Sequence, residues 1–143
     1  MRIMALDYGS KTVGVALSDE LLLTAQGHSI IRREAEKKLR KTLAEIAQIA
    51  ADNGVTEIVL GYPKNMDGSE GDRCEKTREF QALVEKRTGL PVTLWDERLT
   101  TVAADRAMDE AGLRWDKKKE HVDRIAAELI LRGFLDARAG KNT

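Results

Sequence analysis

The chain has 143 residues, 42% hydrophobic but only 4% aromatic, which fits one domain, residues 1–143, with an aliphatic core. Lys plus Arg and Asp plus Glu balance at 24 each, which excludes a generally basic nucleic-acid binder and leaves only local basic patches. The single cysteine, Cys74, excludes an internal disulfide and multi-cysteine zinc patterns, and with neither a signal-peptide run nor a membrane-length stretch the expectation is a cytoplasmic domain with no membrane partner.

Residues 2–7 and 12–18 are strand-like runs joined by Tyr8-Gly9-Ser10-Lys11, a turn-type link. Residues 21–25, Leu-Leu-Leu-Thr-Ala, are expected to open a third antiparallel strand that reaches Ile30-Ile31. The period then changes: Leu39, Leu43, Ile46, Ala47 and Ala50 fall at helical spacing, and Asn53-Gly54 stops the helix. Residues 55–61 read as a short strand. Residues 75–87 read as a helix with Phe80, Leu83 and Val84 inward, and residues 91–95 as a strand ending at Asp96-Glu97. Thr100 or Thr101 can cap a helix over Val102, Ala103, Ala107, Met108 and Ala111. A last helix is expected from about residue 120 to 137, with Val122, Ile125, Ala126, Leu129, Ile130 and Phe134 on its apolar side.

Three meandering strands followed by alternating helices and strands predict an α/β fold. Its five-stranded mixed sheet has three antiparallel strands, then two parallel ones, with helices on both faces. Sites in such sheets form at the carboxyl ends of the parallel strands. Asp7 ends the first strand after four apolar residues, Glu97 follows the fifth, and Asp123 stands in the first turn of the expected last helix. Converging carboxylates repel one another, so they titrate upward or recruit hard divalent cations. Two such cations across a phosphate would stabilise both attacking and leaving oxygens of an in-line displacement. Singly, Asp123 could merely favour a helix N-terminus and Asp96-Glu97 could be loop charge. The order of strand-end, strand-end and helix acids is what points to a site.

The loop from Gly61 to Arg73 holds three glycines between a strand and a helix, so its backbone N–H groups, with Lys64 and Arg73, could approach a phosphate. It lacks the Gly-Lys-Ser/Thr ending of a P-loop. Arg32, Arg33, Lys37, Lys38, Arg40 and Lys41 are diluted by Glu34 and Glu36 and read as a solvated helix face. Arg114 and Lys117-Lys118-Lys119 precede Asp123, where a phosphate backbone would pass. Trp115 could stack on a base or cover the core edge, His28 and His121 read as surface residues, and Cys74 as structural.

The segments Leu6-Asp7-Tyr8-Gly9 with Gly14-Val15-Ala16, Gly61-Tyr62-Pro63 through Met66-Asp67-Gly68-Ser69-Glu70-Gly71, Asp96-Glu97-Arg98-Leu99-Thr100-Thr101, and Asp123-Arg124-Ile125-Ala126-Ala127 resemble the YqgF/RuvX family in that order. The resemblance spans nearly the whole chain. It implies a ribonuclease H-like fold, a nuclease role in maturing the 5′ end of small-subunit ribosomal RNA, and kinship with RuvC-type Holliday junction resolvases. Asp7, Glu97 and Asp123 match the family's catalytic acids, with Asp96 the rival for the middle place. Two departures stand out: Tyr62 where a leucine is usual, and Asp72 where a proline is common. The extra acid at Asp72 weakens the case for loop contact with phosphate.

The leading expectation is a Mg²⁺- or Mn²⁺-dependent phosphodiesterase with a two-metal site. Its partner would be structured RNA (precursor ribosomal RNA in the pre-ribosome), bound through Lys11, Lys64, Arg73, Arg98 and Lys117, Lys118 and Lys119, and the chain would be a monomer or weak homodimer. A Holliday junction resolvase acting on branched DNA shares the acids and favours a dimer. Asp7-Tyr8-Gly9-Ser10 also resembles the phosphate hairpin of actin/hexokinase-type phosphotransferases, which need a second domain that this length does not supply. A non-catalytic nucleic-acid-binding module is the fourth reading.

Overall fold

The computed structural model describes residues 1–9, 11–32, 39–63, 70–96 and 115–138, with the side chains of the last span described from residue 125. In chain order the elements are β1 (Arg2–Tyr8), β2 (Thr12–Ser18), β3 (Ala25–Arg32), α1 (Arg40–Asp52), β4 (Val55–Tyr62), α2 (Asp72–Thr88), β5 (Val92–Asp96) and α3 (Trp115–Arg138). The strands form one five-stranded sheet in the order β3-β2-β1-β4-β5. β1 pairs antiparallel with β2 and β2 with β3, whereas β4 runs parallel to both β1 and β5. This is the mixed sheet expected from the alternation of elements.

β1 and β2 are almost continuously apolar because both of their faces are covered. On one face Met4, Leu6, Tyr8, Val13, Val15, Ile58 and Leu60 meet Ile46 and Ala50 of α1 and Phe80 and Val84 of α2. On the other, Ile3, Ala5, Ala16 and Val59 meet Ala127, Ile130, Leu131 and Leu135 of α3. Each fully buried Leu or Ile contributes about 1.5–3 kcal/mol of apolar transfer. The buried Ile3 amide donates to Ser18 Oγ at 2.8 Å, tying the start of β1 to the end of β2.

Helix ends follow local chemistry. Gly54 (φ +63°) and Gly89 (φ +72°) take the left-handed positions after α1 and α2, and the Gly89 amide donates to the Glu85 carbonyl at 2.8 Å. Asp72 and Glu75 lie in the first turn of α2, and Lys86 and Arg87 in its last, each complementing the helix dipole.

Several expectations need correction. The third strand starts at Ala25, not Leu21. Asp19 Oδ1 accepts the amides of Leu23 at 2.7 Å and Thr24 at 3.0 Å, which closes a turn with Leu22 at φ +60° and leaves Leu21 and Leu23 in solvent. Leu83 lies on the outer side of α2, because Cys74, Thr77, Phe80 and Val84 form its buried row. α3 begins at Trp115 rather than near residue 120, since apolar periodicity marks only the turns that pack on the sheet and the Asp-Lys-Lys-Lys-Glu segment extends them into solvent-type sequence. Asp123 is therefore the ninth residue of α3, outside the first turn where the dipole acts. The helix expected after Thr100 lies outside the described residues. Among the described residues no helix is long and apolar enough to cross a membrane.

Candidate functional site

β1, β4 and β5 are mutually parallel, so their carboxyl ends share one edge of the sheet. Asp7 is the penultimate residue of β1. Strand alternation sets it with Ile3 and Ala5 on the α3 face, half-buried, with Tyr8 on the opposite face. Its partner across β2 is Gly14, which adds no side chain beside it. On the β4 side the pairing runs to Leu6 opposite Leu60, and the next β4 residue on the Asp7 face is Gly61. Two glycines thus flank the one carboxylate.

α3 covers this same face. Asp123 precedes the buried Ala126 and Ala127 by three and four residues, so the helical repeat puts its position in the row that approaches the sheet. The approach is close: an ideal Cβ on Gly133 would lie 3.3 Å from Trp95 Nε1, and Trp95 meets Phe134 edge to face at 5.8 Å. Trp95 is thereby on the α3 face, and Asp96, paired with Tyr62, is on the other. Glu97, Lys64 and Arg98 lie outside the described residues. Lys117, Lys118 and Lys119 are in the first turns of α3, and their side chains, like those of Asp123 and His121, are not among the described ones.

Lys11 is exposed on the β1–β2 turn, where the Gly9 amide donates to the Thr12 carbonyl at 2.8 Å. A Cβ on Gly9 would meet that same carbonyl at 3.1 Å, so the tight link favours glycine. Arg73 has a more specific place than sequence reading assigns. It donates to the Tyr8 carbonyl at 3.1 Å, and its guanidinium lies 5.1 Å from the Tyr8 ring centroid. That ring stacks on Phe80 at 4.0 Å with planes 3° apart.

A second polar cluster escaped the sequence reading. The Tyr62 hydroxyl donates to the Glu70 carboxylate, while Arg78 donates to the Tyr62 hydroxyl and to Glu70 Oε1, the latter at 2.7 Å. The bond to Glu70 first, then burial and the neighbouring Cys74 thiol, push the Tyr62 phenol up to about 12. The only sequence signal was Tyr62 standing in a leucine's place. Its partners are eight and sixteen residues away, a spacing that no local periodicity reveals.

Carboxylate oxygens suit a hard divalent cation. Of the three expected acids only the Asp7 side chain is described, and among the described residues no three His, Cys, Asp or Glu groups come together as a metal cluster. The Asp7 carboxylate, paired with the side-chain-free Gly14 on the face that α3 covers, is chemically suited to such an ion. A cavity of about 280 Å³ lined by Arg2, Ser18, Asp19, His28 and Asn53 opens elsewhere, near the amino end of β1. His28 there is exposed, its Nδ1 2.9 Å from Ser29 Oγ, in keeping with a surface histidine. Cys74 is fully buried, in keeping with a structural thiol.

Comparison with known proteins follows the same outline. A family model described as "RuvX: Holliday junction resolvase" matches residues 1–137. A relative from Agathobacter rectalis named "Putative pre-16S rRNA nuclease" is 63% identical over 136 residues, covering 95% of each chain. One of the same name from Lachnospira eligens is 55% identical over 138 residues, covering 96% of this chain and 99% of the relative. Among solved structures, T. thermophilus RuvC in complex with Holliday junction substrate superposes with a TM-score of 0.59 at 15% identity, covering 98% of this chain and 97% of that one. At that identity the likeness establishes the fold, which is the ribonuclease H-like arrangement expected.

Proposed function

Since the chain belongs to the RuvX family, we propose that it is a divalent-metal-dependent nuclease that processes the 5′ end of precursor 16S ribosomal RNA. The whole chain, residues 1–143, acts as one nuclease domain, cytoplasmic and monomeric or weakly dimeric. One observation supports the reading: Asp7, the penultimate residue of the central strand, lies on the face that α3, the helix that carries Asp123, packs against.

Asp7, Glu97 and Asp123 would hold Mg²⁺ or Mn²⁺ in a two-ion site. When bound, the ions supply electrostatic stabilisation of the scissile phosphate and of the attacking and leaving oxygens. Asp7 would be the central carboxylate ligand of the site, with Glu97 and Asp123 completing the set of oxygen donors. Glu97 is favoured over Asp96 because Asp96 is on the face opposite Asp7. Lys11, Lys64, Arg98 and Lys117 to Lys119 would hold flanking phosphates and fix the register of the substrate. Hydrolysis adds water oxygen to phosphorus, breaks the bond to O3′, and leaves a 5′-phosphate and a 3′-hydroxyl. Purified protein with Mg²⁺ or Mn²⁺ is expected to cleave precursor 16S RNA, and Asp7→Asn to stop it; equal rates would sink the assignment.

A second reading, resolution of Holliday junctions, is favoured by the description of the family itself. It shares the acids and changes only the nucleic acid. Cleavage of a four-way DNA junction and of precursor RNA, compared side by side, separates the two.

A further inference from the structure

The chain has only two tyrosines, each ends a parallel strand, and an arginine of α2 lies over each ring. Arg73 is 5.1 Å from the Tyr8 centroid and Arg78 is 5.9 Å from that of Tyr62. The two arginines are five residues apart, so the helix sends one toward the end of β1 and the other toward the end of β4.

The β1–β4 pairing reaches only Leu6 opposite Leu60. Asp7 and Tyr8 lie beyond it, paired with Gly14 and Val13 on the β2 side. At this point the Tyr8 carbonyl accepts its hydrogen bond from Arg73 at 3.1 Å, while the Tyr8 ring stacks on Phe80, two turns further along α2. One helix thus grips the residue after Asp7 by both its backbone and its ring. At β4, Arg78 and Glu70 hold the hydroxyl of the buried Tyr62. The planar guanidinium allows Arg73 both to stack and to donate, a combination that an ammonium does not reproduce.

We propose that Arg73 is a positioning residue for Asp7, acting through Tyr8 rather than on phosphate, as one half of a clamp whose other half is Arg78 on Tyr62. The inference rests on the reading of Asp7 as a metal ligand. A ligand must be held within about 0.5 Å of its productive place, and the Arg73 and Phe80 contacts to Tyr8 add to the β2 pairing in fixing the end of β1.

The test compares the full-length parent with Arg73→Gln, Tyr8→Leu and Arg78→Gln. Hydrogen–deuterium exchange is expected to rise at residues 6–9 in Arg73→Gln and Tyr8→Leu, and at residues 60–63 in Arg78→Gln. With Mg²⁺ titrated, Arg73→Gln should weaken metal affinity, read from the Mg²⁺-induced rise in Tm, by about tenfold or more. Its kcat should fall with KM kept within about twofold, the split expected when ligand placement and not substrate contact is lost. Tyr8→Leu, which removes no charge, should reproduce that pattern. A tenfold rise in KM with the Mg²⁺ response intact would make Arg73 a phosphate contact and overturn the proposal. So would unchanged exchange at residues 6–9. A parent with no Mg²⁺ response would overturn the metal-site reading itself, and the exchange measurement would still decide for or against the clamp.

Discussion

Asp7 stands directly opposite Gly14 in the antiparallel pairing of β1 with β2. Paired residues share a face, so Gly14 sets no side chain of its own beside Asp7 on the side that α3 covers. The neighbouring pair is Ala5 with Ala16, and small residues there let α3 lie close. The central strand thus carries its carboxylate onto a face where its sheet neighbours Ala5, Gly14 and Ala16 have nothing to ionise.

Asp7→Asn is expected to lower Mg²⁺-dependent cleavage by roughly a hundredfold or more while leaving the metal-free Tm near that of the parent. At Mg²⁺ about a hundred times its Kd, binding linkage stabilises the parent by about 2.7 kcal/mol, and the variant should lose most of that increment. Thermal melts with and without Mg²⁺ check both parts.

Gly14→Ala places a methyl beside Asp7. A strand tolerates this exchange within about 1 kcal/mol in urea denaturation. Metal affinity, followed by the same Mg²⁺-dependent melts, should nonetheless drop by about tenfold. Unchanged affinity would argue that the space is not used.

Gly133→Leu drives a side chain into Trp95, since even a Cβ would come within 3.3 Å of its Nε1. Overpacking of this kind costs about 1–3 kcal/mol, more than the roughly 1 kcal/mol gained in helix propensity. Urea denaturation should show the net loss, and Leu131→Ala, at the same interface, should cost about 2–5 kcal/mol.

Tyr62 gives a signature at high pH. Its folded-state pKa of about 12 is above the ordinary 10.0, chiefly through the bond to Glu70. A raised pKa contributes stability that is complete below pH 10 and disappears as pH rises through 12. Stability of the parent should therefore fall across that window more than that of Tyr62→Phe, which has no phenol to titrate. Phenolate absorbance and denaturation at stepped pH report the two effects.

Asp19 gives the opposite sign at low pH. The Thr24 amide, with that of Leu23, holds its carboxyl below the ordinary value of 3.8. The turn's contribution is present above 3.8 and is lost as pH falls through the lower folded value. Asp19→Asn should remove this acid-side dependence, and faster proteolysis around residues 21–24 should accompany it.

Much of the fold was legible because it is written in short-range periods. Alternating and continuous apolar runs located β1, β2, β4 and β5, and Asn53-Gly54 and Thr88-Gly89 closed α1 and α2 where expected. The errors fell where one side chain redirected the backbone or where polarity hid a helix. Asp19 turned the leucine run away from the sheet, and the lysine-rich start of α3 carried no apolar stripe.

By itself the sequence determined which elements form, the parallel crossovers, and the placing of an acid at the end of the central strand. These follow from side-chain period and chain connectivity, both local properties. Only the tertiary structure decided that Asp7 is flanked by Gly14 and has α3 above it, that Asp96 is on the other face, and that Arg73 holds Tyr8. Those relationships join residues as many as sixty-five positions apart. Strand register and helix packing bring them together, and nothing in a window of neighbouring residues encodes that meeting.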